Sequence, residues 1–371
     1  MPYPQIDRFK LKIKPLRERK NKVSIERDHI SPDTKPENLS EAGKSLVAET
    51  IQKIIKARKL NRPVMLAFGA HTIKNGLAPV LISLIEAGWV THLATNGAGI
   101  IHDWEFAFQG ESSEDVKTNV HSGRFGIWQE TGFYLNLALI TGAYEGRGYG
   151  ESVGAMIHNE GLNLPSAKEL REKVIAGLDK TPEKSAASAD LLGVIKQFNL
   201  KPGFRQVSHP FKHYSIQAAA FRLKVPFTGH PMIGHDIIYN HPLNHGAAIG
   251  RTALRDFLSF AYNVSTLEDG VYLSVGSAVM SPMIFEKAFS MAQNLALRRG
   301  SHIDNHFIVV VDLAKSDWDW KSRGEPPRDN PAYYLRYCKT FSRMEGTMRY
   351  LSADNRDFLL ALYRGLPNPG A

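Results

Sequence analysis

Short apolar runs that close on small residues punctuate the chain. Val64–Phe68 ends at Gly69-Ala70-His71, and Thr91–Thr95 ends at Asn96-Gly97-Ala98-Gly99. The pattern returns at Val225–Thr228, at Val271–Val275 before Gly276-Ser277-Ala278, at Phe307–Val311 before Asp312, and at about Met348–Leu351. Runs of this length bounded by turn residues predict strands buried on both faces. Between them the period changes to that of a helix: Leu46, Val47, Ile51, Ile54 and Ile55 predict a helix over 41–59, and a second is expected at about 76–88. Strand, helix and strand within about 35 residues make a βαβ unit, hence a parallel pair. Residues 125–200 read as a mainly helical insertion, and 317–331 as a loop. Residues 1–43 carry five prolines among charges and read as an extended arm, leaving 44–371 as one α/β domain with a mostly parallel sheet flanked by helices.

Charge changes this picture little. The net charge of +9 comes largely from residues 1–60, where 15 Lys and Arg face 8 Asp and Glu, against 31 and 29 in the remainder. A nucleic-acid reader would carry a basic stripe on its folded body, so no nucleic-acid partner is expected. The basic arm reads as solvated or as wrapping a neighbouring subunit. A single cysteine, Cys338, excludes an internal disulfide framework and a zinc site built on several thiolates. The N-terminus has no apolar core of a signal peptide and no run of eighteen apolar residues occurs, so no membrane partner is expected and the compartment reads as cytoplasmic.

The chemistry should sit at the strand ends. In open parallel sheets ligands bind outside the carboxyl ends of the strands, where small residues let backbone approach a ligand and helix N-termini offer N–H groups to phosphate. Gly69, Asn96 to Gly99, Gly276 to Ala278, and Asp312 share that place and point to a nucleotide. His71 and His102 fall at two of these ends, and an imidazole facing the crevice could serve as acid or base. Glu105, one turn on, reads as a solvated helix residue. Gly146, Gly148, Gly150 and Gly154 follow a helix rather than a strand and read as a helix–helix connection. Residues 229–246 hold His230, His235, Asp236, His241 and His245. Three readings stay open there: hydrogen bonds to loop carbonyls, substrate contact, or a metal site on the four histidines, although the spacing matches no recognised ligand pair. Lys339, between Tyr337-Cys338 and Phe341, could be desolvated enough to act as an amine nucleophile.

The stretch from Gly69-Ala70-His71-Thr72 to Leu93-Ala94-Thr95-Asn96-Gly97-Ala98-Gly99 with Asp103 resembles the NAD-binding region of the deoxyhypusine synthase family. Val225-Pro226 to Asp236-Ile237-Ile238, Gly270 to Val279, Phe307 to Ala314, and Tyr337-Cys338-Lys339 with Arg349 to Ala353 follow in matching order. The resemblance implies a Rossmann-like single domain assembled as a homotetramer, with NAD as cofactor and transferase chemistry. A hydride leaves a small amine, a polyamine in the family, and an imine forms on a lysine. By position it implies Lys339 as that lysine, with Asp236 at the substrate or cofactor. Asn96, Gly97, Ala98, Gly99, Gly276, Ser277 and Asp312 would line the dinucleotide. Several positions depart from the family pattern. His102 stands for an acid, Pro282 for the catalytic histidine, Asp317-Trp318-Asp319-Trp320 for a Ser-Asp-Ser-Gly loop, and Tyr337 for a tryptophan. These departures speak against deoxyhypusine synthesis itself and leave the fold expectation untouched. A metal-dependent hydrolase or lyase using the histidine segment, or a nucleotide-binding protein without catalysis, are the alternatives.

Overall fold

The computed structural model describes residues 3–320 and 322–367. At its centre, six strands form one parallel sheet: β1 (Val64–Phe68), β2 (His92–Asn96), β3 (Phe227–His230), β4 (Val271–Val275), β5 (Phe307–Asp312) and β6 (Thr347–Ser352). Their order across the sheet is β3-β2-β1-β4-β5-β6. The chain thus steps outward from β1 to one edge, returns to the middle, and steps outward to the other.

The apolar runs become strands because both faces are covered. Val64, Leu66 and Phe68 of β1, with Val271, Leu273 and Val275 of β4, pack into one core cluster. Met65, Ala67 and Tyr272, the residues between them, pack into the other. The first face is covered by α1 (Glu41–Lys59), α2 (Ala78–Glu86), α3 (Gly97–Gln109), α4 (Ile216–Leu223) and α7 (Asn355–Gly365). The second carries α5 (Gly246–Val264) and α6 (Met280–Leu297). Fully burying side chains of the size of Leu66 or Phe68 contributes about 1.5–3 kcal/mol each, which favours this register over a one-residue slip. β3 starts two residues later than its apolar run, because Val225 N–H bonds the carbonyl of Ala220 and still closes α4.

The insertion holds four helices, Gln129–Glu145, Tyr149–Asn159, Ala167–Gly177 and Pro182–Gln197, and a two-stranded ribbon of Gly161–Leu164 with Gly203–Gln206. Gly146 caps the first helix in the left-handed conformation and Gly148 opens the second, so the glycine cluster is a helix junction. Asp256 of α5 fixes it by accepting N–H groups from Gly150 at 2.8 Å and Gly229 at 2.6 Å. Among the described residues no helix is long and apolar enough to cross a membrane.

The N-terminal segment is more than a solvated arm, because part of it between residues 8 and 25 packs on its own chain. Asn21–Ser24 pairs antiparallel with Glu111–Glu114, while Leu16 and Ile25 are fully buried. The Arg8 guanidinium bonds the carbonyls of Tyr239 at 2.9 Å and Asn244 at 3.1 Å. Isolated apolar anchors between prolines leave no helical period to read, yet Leu16 and Ile25 find pockets, and Arg8 satisfies backbone carbonyls on the body.

Candidate functional site

The strand order places the reversal between β1 and β4, and a crevice opens above their carboxyl ends. Gly69 and Gly276 meet there backbone to backbone. A Cβ on Gly69 would lie 2.1 Å from the Gly276 carbonyl oxygen, and Gly276 has φ +58°, so the crevice floor is bare main chain. A hollow of about 210 Å³ extends from it toward β5 and β6, lined by His71, Gly276, Asp312 and Asn355 among others. Asp312, half-buried, accepts the N–H of Ala314 at 3.2 Å. The 18-residue helix α6 starts at this rim, and Val279 at its N-cap makes no side-chain bond to it. Ser277, buried beside it, accepts the N–H of Ser281 at 3.2 Å.

On the β2 side a second hollow of about 330 Å³ is bounded by α3, by the strand pair of the N-terminal segment, and by the loop after β3. Its polar centre is a chain of four side chains. Arg19 forks onto Glu105 through two bonds of 2.7 Å, with both residues buried. Ser112 donates its hydroxyl to Glu105 at 2.5 Å, and His102 Nδ1 lies 2.7 Å from the same hydroxyl oxygen. Since the one serine proton goes to the carboxylate, His102 must hold its proton on Nδ1 and present Nε2 as an acceptor. Burial pulls the His102 pKa down to about 4, against the pull of Glu105 and with that of Lys74, Arg19 and His71, so the imidazole is neutral at pH 7. Burial would raise Glu105, but the charge and hydrogen bonds of Arg19, with His102 and Ser112, hold it below the ordinary carboxylate value.

Asp236 faces this hollow from the loop after β3. It is only 9% exposed, its Oδ2 has no hydrogen-bond partner, and burial pushes its pKa up to about 7. The carboxyl packs on Gly97, where a Cβ would come within 2.1 Å of Oδ2. The Asn96–Gly99 turn is thereby already filled by protein. Asn96 caps α3 by accepting the Gly99 N–H at 2.9 Å, Gly99 is pressed against Thr95, and Ala98 lines the hollow.

The structure therefore brings His71, Gly276 and Asp312 to one hollow and His102, Asp236, Ala98 and His235 to its neighbour. The other histidines point apart. His230 bonds Thr228 at 2.9 Å, His241 accepts the Leu243 N–H at 3.1 Å, and His245 lies 3.7 Å from Asp190. Among the described residues no group of three or more metal-ligating side chains is gathered. Lys339 lines neither hollow; its ammonium sits over the Tyr333 ring, 3.6 Å from the centroid. Beside it, burial first and the charge of Asp312 among lesser effects hold the Tyr337 hydroxyl and the Cys338 thiol above their ordinary values.

Sequence reasoning missed Arg19 and Ser112, and it placed Glu105 in solvent although that side chain is among the most buried acids of the fold. One signal was present: Ile101, Trp104 and Phe108 mark the inward stripe of α3, and Glu105 lies within it. A larger hollow, about 770 Å³, opens beside Val225–Thr228 at the amino end of β3, away from the crevice. Its buried acid, Asp256, is already satisfied by main-chain donors.

Sheet order and crevice together define a doubly wound α/β protein of Rossmann-like topology. By sequence the chain matches no family model and no curated protein. Among solved structures it is similar to AgrE, determined as a ternary complex with ornithine and NAD+, at 14% identity and TM-score 0.42 over 88% of this chain and 33% of that one. It is also similar to a provisionally assigned LOR/SDH protein of Methanococcus maripaludis S2, at 14% identity and TM-score 0.42 over 90% and 72%. A provisionally assigned deoxyhypusine synthase of Entamoeba histolytica aligns at 10% identity and TM-score 0.40 over 87% and 88%. The chain spans about a third of the length of AgrE.

Proposed function

We propose that the protein is an NAD-dependent enzyme that removes a hydride from the carbon next to an amine of a small molecule. The observation that carries this reading is the bare-backbone crevice at the reversal of strand order, adjoining a hollow that holds a neutral imidazole and an unpartnered carboxyl. The residues at the crevice fit a dinucleotide: Gly276 leaves bare main chain with only the Asn355 amide beside it, and the positive end of the α6 dipole favours a pyrophosphate, although Ser277 takes the Ser281 N–H and Pro282 has none to offer. Gly276, Ser277 and the Ala278–Val279 rim would hold it, with Asp312 and His71 flanking. Bound there, NAD would supply a two-electron acceptor for the hydride. His102 Nε2 would take the proton that leaves the amine as the carbon–nitrogen double bond forms, and Asp236 would hold the nitrogen. Imine transfer through Lys339 forms no part of the proposal, because its ammonium rests on Tyr333 outside both hollows.

Two measurements test this. Val279→Asp sets a carboxylate at the α6 N-terminus, where the helix dipole favours it, so the fold should hold while bound phosphate is repelled. NAD affinity by calorimetry should fall at least tenfold, and an unchanged affinity would reject the crevice as the dinucleotide site. Lys339→Ala should keep turnover within twofold of the parent; an inactive variant that still binds NAD would return the imine chemistry to Lys339.

A further inference from the structure

The hollow beside α3 contains two groups that the protein itself leaves without partners. Asp236 presents a buried Oδ2 that meets no donor, and among the described residues Lys74 makes no hydrogen bond or ion pair. Every other charge on the wall is matched. Arg19 is held by Glu105, Lys22 pairs with Asp115 at 2.7 Å, and Glu114 accepts from Gly126, Trp128 and Asn119. Folding has therefore neutralised the wall except at one cation and one acid. His102 stands between these roles as an acceptor oriented by Ser112.

An isolated buried carboxyl without donors is costly to keep, and it is normally satisfied by a partner or by a ligand. Lys74, half-buried on the same wall, is placed to give an anion a charge-assisted hydrogen bond. We propose that this hollow binds a small amino acid, its carboxylate on Lys74 and its amine between Asp236 and His102. This rests on the amine-oxidation reading above and narrows its substrate to molecules with a negative end, which excludes a simple polyamine. The volume of about 330 Å³ suits a small metabolite-sized ligand rather than a peptide. Burial already holds the Asp236 carboxyl near pH 7, so an arriving ammonium supplies the counter-charge that keeps it ionised.

The test is calorimetric titration of the nucleotide-free protein with glycine, β-alanine, 4-aminobutyrate and 6-aminohexanoate, against butylamine and butyrate as controls. At least one amino acid should bind tenfold or more tightly than both controls. Lys74→Ala should reduce that compound to the level of butylamine, and Asp236→Asn to the level of butyrate, with unfolding midpoints confirming that both variants fold. Butylamine binding as well as the best amino acid, equal binding in the variants, or no binding by any compound at millimolar ligand overturns the proposal. NAD titration of the same samples separates the two readings: NAD binding without amino-acid binding removes only the substrate class, and amino-acid binding without NAD removes only the cofactor.

Discussion

Arg19→Ala should unfold the protein at markedly lower denaturant, a loss of about 3–5 kcal/mol, because it strands the buried Glu105 carboxylate without its counter-ion. Arg19 and Glu105 are each almost wholly enclosed, and Glu105 also takes hydroxyls from Ser112 at 2.5 Å and Thr131 at 2.9 Å. Those two bonds cannot replace a guanidinium fork. The comparison that isolates the charge is Arg19→Ala with Glu105→Gln, which removes the anion and should recover a large part of the loss. Equilibrium denaturation of the parent, the single and the double variant is the measurement. A single variant within 1 kcal/mol of the parent would show that the pair is not the clasp of the N-terminal segment. The outcome bears on function, since Glu105 also orients His102 through Ser112.

The frame of the fold was legible because it depends on local pattern. β1 and β4 occupy the residues that their apolar runs mark, and α1 begins and ends where its periodicity does. Strands buried on both faces leave continuous apolar runs, and these are readable without knowing the neighbours. The strand ends also drew attention to Gly69, Gly276, His71 and His102, all of which line or floor the two hollows. What was not legible depends on contacts far apart in sequence. Arg19 meets Glu105 across 86 positions, and no local period announces an arginine that will be buried. Asp236 was visible as an acid, but its seat on Gly97 turned an apparent phosphate turn into a carboxyl's resting place. The histidine segment shows the same limit: four imidazoles close in sequence are sent in different directions once Pro231 and Pro242 break the chain into turns.

Acidification from pH 7.5 to pH 5 should destabilise the protein by several kcal/mol, and the histidines set the sign. Burial lowers His92 and His230 to about 3, and His102, His209, His241 and His306 to about 4, against 6.5 for an ordinary imidazole. The unfolded chain takes up protons at these six positions as pH falls below 6.5, whereas the folded chain refuses them until near 4. The stability they contribute is complete above 6.5 and is lost on the way down, at about 2 kcal/mol each by pH 5. Four carboxyls oppose this. Burial raises Asp236 and Asp256 to about 7, so the folded chain binds their protons first and is relieved by about 2.5 kcal/mol each over the same interval. Burial also raises Asp103 and Glu145 above the ordinary carboxylate value, which adds to the relief in the same direction. Six imidazoles outweigh these carboxyls, and the balance falls against the acid side. Chemical denaturation at pH 5, 6 and 7.5 reads the slope directly, and equal or greater stability at pH 5 would contradict it. Asp256→Asn offers a second readout. By removing one opposing carboxyl it should steepen the loss toward low pH while raising stability at pH 7.5, where the buried charge is most unfavourable.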